Sequence, residues 1–249
     1  MHHAEHVMGT VVSIDLADDL PAPALESMIG DVCRWLHEVD RRFSTYRDDS
    51  EVSRLRRGEI DISGCSDDMR HVLEACGDLW RSTDGYFDAY AGGPLDPSGY
   101  VKGWSVEVAS ARLTEAGSVH HCINAGGDIR ARGLSRKGEP WRVGIRHPWE
   151  ADKVSWVLSI TDRAVATSGT YERGDHVFNP RTGSPARGLR SVTVVGPDLA
   201  LADAYATAAL AMGEAGLTWL AKMVAEGYDS AAVTDDGRAF ATAGLPAAV

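Results

Sequence analysis

A carboxylate and a hydroxyl one helical turn apart on an otherwise apolar helix can grip a hard cation. Residues 199–212 carry such a pair: Asp203 and Thr207 stand among Leu199, Ala200, Leu201, Ala208, Ala209 and Leu210. At i and i+4 their oxygens face the same way. A carboxylate amid apolar surface is costly to bury without a partner. Magnesium takes carboxylate, hydroxyl and carbonyl oxygens and would remove that cost. An aspartate near a helix start is also stabilised by the helix dipole, and the residues alone leave both readings open.

Three further segments combine polar groups with turns. Asp96-Pro97-Ser98-Gly99-Tyr100-Val101-Lys102 joins an acid, a tight turn and a lysine at a helix start. Free backbone N–H groups there make an anion site, and Lys102 adds a point charge suited to phosphate; simple capping by Asp96 and Ser98 explains the same letters. Asn124-Ala125-Gly126-Gly127-Asp128 lies between two strand-like runs. Its glycines allow positive φ and close approach of a ligand, or merely a hairpin turn. His176-Val177-Phe178-Asn179-Pro180-Arg181-Thr182-Gly183 opens with an imidazole that can take a proton near neutral pH. A lone histidine is more often structural than catalytic.

The elements that must hold these residues are legible from periodicity. Val11 to Leu16 alternates and reads as a strand. Leu25, Ile29, Val32, Leu36, Val39 and Phe43 mark the apolar face of a helix. A second helix runs from a Ser66 N-cap to Thr83-Asp84-Gly85, and a third from Val101 to Ala116 with Gly117 after it. Strand-like runs follow at 121–124, 129–132, 141–145, 154–160, 164–167 and 191–195, separated by glycine turns. Helices at 199–212 and 217–225 and a strand at 230–234 complete the pattern. Helices first and sheet later read as an α+β fold with mixed or antiparallel sheets. Residues 1–241 are expected to form a single domain of one or two lobes, with 242–249 a flexible tail.

The chain has 249 residues, 44% hydrophobic and 24% charged, enough for a sizeable core. Its net charge of -11 argues against a nucleic-acid partner, which would need a basic face. Cys33, Cys65, Cys76 and Cys122 show no C-x-x-C spacing and read as reduced thiols. No apolar run is long enough to span a membrane, and no signal peptide or lipobox is visible. The chain therefore reads as cytoplasmic, or as one from which a leader has been removed.

Taken in order, these segments resemble the ApbE family of flavin transferases. The resemblance rests on Met8-Gly9-Thr10, on Phe43-Ser44-Thr45-Tyr46 with Asp49-Ser50-Glu51-Val52-Ser53, and on Gly85-Tyr86-Phe87-Asp88. It continues through 96–104, 124–128, Trp141-Arg142-Val143-Gly144-Ile145, Ala166-Thr167-Ser168-Gly169, 176–183, Ser191-Val192-Thr193-Val194 and 202–207, nearly the whole chain. It implies a T-fold-like α+β architecture that binds FAD and Mg²⁺ in a cleft, transfers FMN to a threonine or serine hydroxyl of a target flavoprotein, and releases AMP. Carried over by motif, Asp203 and Thr207 hold the metal with the Gly99 backbone carbonyl. Met8, Tyr46, Asp96, Lys102 and Val177 line the FAD site, and His176 serves the transfer step. Two alternatives accompany this reading: Mg-dependent hydrolysis of FAD to FMN and AMP, and flavin binding without catalysis. The chain departs from the family pattern in three places. Asn179 stands where the family has aspartate, the 88–96 segment is shorter than in many relatives, where it contributes to the flavin site, and the common secretion leader is absent.

Overall fold

The computed structural model describes residues 1–171 and 177–248. The chain opens with β1 (His2–Val7), antiparallel to β2 (Thr10–Leu16) with Val7 opposite Thr10. Met8 and Gly9 form the two-residue turn, both at positive φ (54° and 67°). Turns of this kind match the twist of the flanking strands. The left-handed region costs a non-glycine residue roughly 1–2 kcal/mol, so Met8 is held there against its own preference.

Helix α1 (Ala22–Phe43) buries the face expected from its spacing, including Leu25, Ile29, Val32, Leu36, Val39 and Phe43. The short helix α2 (Glu51–Arg56), not anticipated from periodicity, is capped by Ser50, whose hydroxyl accepts the Ser53 amide. Six residues carry too little pattern to be read as an element. Ser66 caps α3 (Asp67–Ser82) through the Met69 amide. Helix α4 (Ser98–Glu115) starts three residues earlier than its apolar pattern suggests.

Strands β3 (His121–Ala125), β4 (Asp128–Arg132), β5 (Trp141–Arg146), β6 (Val154–Ile160) and β7 (Ala164–Gly169) follow. Two short strands, β8 (Phe178–Asn179) and β9 (Ser184–Pro185), pair with each other. Then come β10 (Leu189–Gly196), α5 (Leu199–Met212), α6 (Ala215–Met223), β11 (Asp229–Thr234) and β12 (Ala239–Ala241). Among the described residues, eight strands make one sheet in the order β1-β2-β3-β4-β7-β10-β11-β12, with antiparallel neighbours throughout.

One face of this sheet carries the helices, and the main core forms between them from Val12, Ile14, Ile123, Val192 and Val194 against Leu36, Val106, Leu199 and Leu210. A second cluster joins Ile129, Ala131, Val165 and Val195 to Val143, Ile145, Leu158 and Ile160 of the β5–β6 hairpin. The architecture is α+β, as the helix-then-sheet pattern implies. Of the segment 242–249, expected to be a flexible tail, Thr242 donates its amide to the Ser230 carbonyl of β11 (2.9 Å) and residues 246–248 run beside β6. The Pro246 carbonyl accepts the Ser159 amide (2.8 Å), the Ala248 amide donates to the Val157 carbonyl (2.6 Å), and Leu245 packs on the second cluster.

Candidate active site

Helices α4 and α5 meet backbone to backbone, and glycine makes this possible. A Cβ added at Gly103 would lie 2.6 Å from the Leu199 carbonyl oxygen and 3.0 Å from both Ala200 Cα and Asp203 Cβ. One turn earlier, a Cβ at Gly99 would sit 3.4 Å from the Phe87 ring and 3.9 Å from Thr207 Cγ2. The antiparallel crossing thus places Gly103 beside Asp203 and Gly99 beside Thr207. These two pairs bring the three expected metal ligands together.

Asp203 is 3% exposed, and its Oδ2 accepts the Gly103 amide at 3.2 Å. In a regular helix that amide serves the carbonyl four residues back, which is Gly99. Thr207 Oγ1 lies 3.1 Å from Ser168 Oγ, on β7. A buried carboxylate, a hydroxyl and a backbone carbonyl beside a glycine cradle form an all-oxygen donor set. Such a set fits Mg²⁺.

The residues expected to bind the dinucleotide are placed less uniformly. Met8 reaches α4, where its Sδ lies 3.8 Å from Ser105 Oγ, and that hydroxyl donates to the Lys102 carbonyl at 2.8 Å. Lys102 Nζ pairs with Asp128 Oδ2 at 2.5 Å, and Asp128, 1% exposed on its side chain, also accepts the Thr167 amide through Oδ1 (3.1 Å). The 124–128 segment therefore supplies a partner for the lysine as well as a turn. Asp96 Oδ1 accepts the Ser98 amide at 3.0 Å just ahead of α4, as a capping group would. Val177 is half-buried against the main core. Tyr46 stands apart, 98% exposed on the loop after α1. His176 lies outside the described residues.

At Asn179 the structure shows what the departure from aspartate preserves. Its Oδ1 accepts the Arg181 amide (2.9 Å) and its backbone carbonyl accepts the Gly183 amide (2.9 Å). An amide oxygen closes this turn as a carboxylate would. Arg181 then ion-pairs with Asp84 and lies 4.5 Å from the Tyr86 ring centroid, tying the 179–183 turn to the 84–87 loop.

Two supporting residues carried no motif signal. Glu107, on α4, accepts the Leu199 amide at the start of α5 through Oε2 (2.8 Å), and Arg130 Nε through Oε1 (2.9 Å). Arg130 is 2% exposed, and burial lowers its pKa while the Glu107 charge opposes that shift. The pair anchors the first turn of α5 one turn from Asp203. A glutamate and an arginine distant in sequence give no local cue to each other.

The ApbE family model matches this chain over residues 8–94 and 91–229. Its two blocks meet at the segment read as shortened. An FAD:protein FMN transferase of Rhodobacter capsulatus is 39% identical over 157 residues, covering 59% of this chain and 29% of that protein. One from Vibrio cholerae is 27% identical over 273 aligned residues, covering 86% of this chain and 82% of that protein. The crystal structure of the flavin transferase ApbE from Vibrio cholerae superposes with a TM-score of 0.82 at 27% identity, covering 98% of this chain and 97% of that one. With the model match extending from the β1–β2 turn to the start of β11, this chain belongs to the ApbE family.

Proposed function

We propose that this protein is an FAD:protein FMN transferase that moves FMN from FAD to a threonine or serine hydroxyl of a target flavoprotein and releases AMP. The observation that carries this reading is the glycine-lined crossing of α4 and α5, which gathers Asp203, Thr207 and the Gly99 backbone. These residues would hold Mg²⁺, and the bound ion would neutralise charge on the diphosphate oxygens as the phosphoryl group moves.

The chain's own groups then have separate tasks. Asp203 and Thr207 fix the diphosphate end of the substrate at the crossing. Met8 and Val177 offer apolar contact, and exposed Tyr46 offers an aromatic face to the flavin. Asp96 and Lys102 flank the start of α4, and the lysine's pairing with Asp128 fixes its ammonium in position. The acceptor oxygen attacks the FMN phosphorus, a new P–O bond forms, and the bond to the AMP oxygen breaks with its electron pair leaving on AMP. His176 takes the acceptor's proton. Positioning and fixed charge supply most of the acceleration in such transfers.

The test is mass spectrometry of the pure protein with FAD, Mg²⁺ and a flavoprotein domain carrying an acceptor hydroxyl. An FMN-sized mass gain on the domain, with stoichiometric AMP, is expected. Free FMN and AMP with an unmodified domain would mean hydrolysis, and intact FAD would mean binding only. Asp203→Ala should reduce turnover by at least a hundredfold at saturating Mg²⁺ while the fold persists by circular dichroism. Undiminished turnover in that variant would sink the metal assignment.

A further inference from the structure

At the opposite end of β1 from the Met8 turn, a second group of donor atoms converges. His3 and Glu5 alternate onto the helix-facing side of this edge strand, and Cys33 and His37 face them at i and i+4 on α1. His3 Nε2 lies 2.9 Å from Glu5 Oε2, and His37 Nε2 lies 2.9 Å from Glu5 Oε1. One donor atom from each of His3, Glu5 and Cys33 lies within 4.8 Å of the other two. All three residues are half-buried, and the cluster remains open to solvent at His37. Glu5 precedes Met8 by three strand residues, which places the cluster about 10 Å from the turn.

We infer that His3, Glu5 and Cys33 form a site for zinc or a similar late transition-metal ion, with His37 positioning the Glu5 carboxylate. Imidazole, carboxylate and thiolate are the ligands zinc prefers, and three protein ligands with a fourth position left to water make a complete tetrahedron. A histidine holding the far oxygen of a ligating carboxylate is the usual outer support of such a site. The donor set also discriminates between ions. Cys33 contributes a thiol, which must give up its proton to bind a metal. Magnesium, an oxygen-seeking ion, has little affinity for sulfur and will not displace that proton, whereas zinc or cobalt can. Binding would fasten the edge strand to α1 without touching the crossing of α4 and α5.

The test uses the full chain stripped with a chelator and titrated with Co²⁺, without FAD. A thiolate-to-cobalt charge-transfer band in the near ultraviolet is expected at about one equivalent, together with visible bands of tetrahedral intensity. Zinc should bleach both, and magnesium in large excess should leave them unchanged. Cys33→Ser should abolish the ultraviolet band, Cys65→Ser should keep it, and His3→Ala should weaken binding at least tenfold. Independently of any variant, one equivalent of zinc should protect Cys33 from alkylation, read by peptide mass spectrometry. The inference is overturned if wild-type protein gives no charge-transfer band, if the band survives Cys33→Ser, or if Cys33 is alkylated equally with and without zinc. None of these readouts depends on flavin chemistry, so a failed transferase assay leaves this result standing, and the reverse.

Discussion

His121 shows how one buried residue can make stability depend on pH far from the reaction. It is fully buried at the start of β3, with Ser110 Oγ 2.8 Å from Nε2 and Ser118 Oγ 3.1 Å from Nδ1, and Ser118 in turn donates to Asp18 Oδ2 at 2.6 Å. Each hydroxyl can donate or accept, so a neutral imidazole is satisfied on both nitrogens. Burial lowers its pKa from 6.5 to about 4. A histidine whose folded pKa lies below its unfolded value takes up a proton on unfolding. Its stabilisation is complete above pH 6.5 and drains as pH falls toward 4, by on the order of 3 kcal/mol. Urea unfolding at several pH values should show this loss in the wild type and a shallower one in His121→Gln. Parallel curves for the two proteins would contradict the assignment.

Helix α5 has little amphipathic asymmetry because ten of its residues are buried. It packs on α4 and on strands β7 and β10, and α4 approaches it through Gly103. Alanine at Gly103 should stabilise an isolated helix by roughly 1 kcal/mol, yet here its methyl would meet backbone at 2.6 Å, which no rotamer change relieves. Gly103→Ala should therefore lower the melting temperature by several degrees and weaken Mg²⁺-dependent FAD turnover more than tenfold, because the helices must part where Asp203 and Thr207 sit. Calorimetry and a turnover assay check the two effects, and a fully active, more stable variant would disprove the crossing geometry. The sequence showed Asp203 and Thr207 sharing a face because i and i+4 is a local relation. It was silent on Gly103, whose role comes from a helix a hundred residues away. Strands were equally uneven: β6 and β10 announced themselves by β-branched runs, whereas β1, written His-His-Ala-Glu-His-Val, hid behind polar edge residues. Its pattern makes sense only with α1 lying across it.

For the whole molecule the governing quantity is charge. The chain carries a formal net charge of -11, and the candidate site holds Asp96 and Asp203, while Lys102 is already paired to Asp128 and the nearby Arg181 to Asp84. FAD brings two further negative charges on its diphosphate. Among the described residues no helix is long and apolar enough to cross a membrane. Without a divalent ion the dinucleotide approaches a repulsive field, and that field is screened over roughly 20 Å at low salt but only about 8 Å at physiological ionic strength. Apparent affinity for FAD in the absence of Mg²⁺ should therefore rise a few-fold as salt is increased from about 0.02 to 0.15 M. That is the reverse of the behaviour of a basic anion-binding site. With Mg²⁺ saturating, the dependence should flatten, because the ion supplies at short range the positive charge that the fold withholds. Flavin fluorescence titrations at the two ionic strengths, with and without Mg²⁺, measure both slopes. Affinity that falls with salt in the metal-free protein would mean that lysines and arginines, rather than a cation gathered by Asp203 and Thr207, carry the diphosphate.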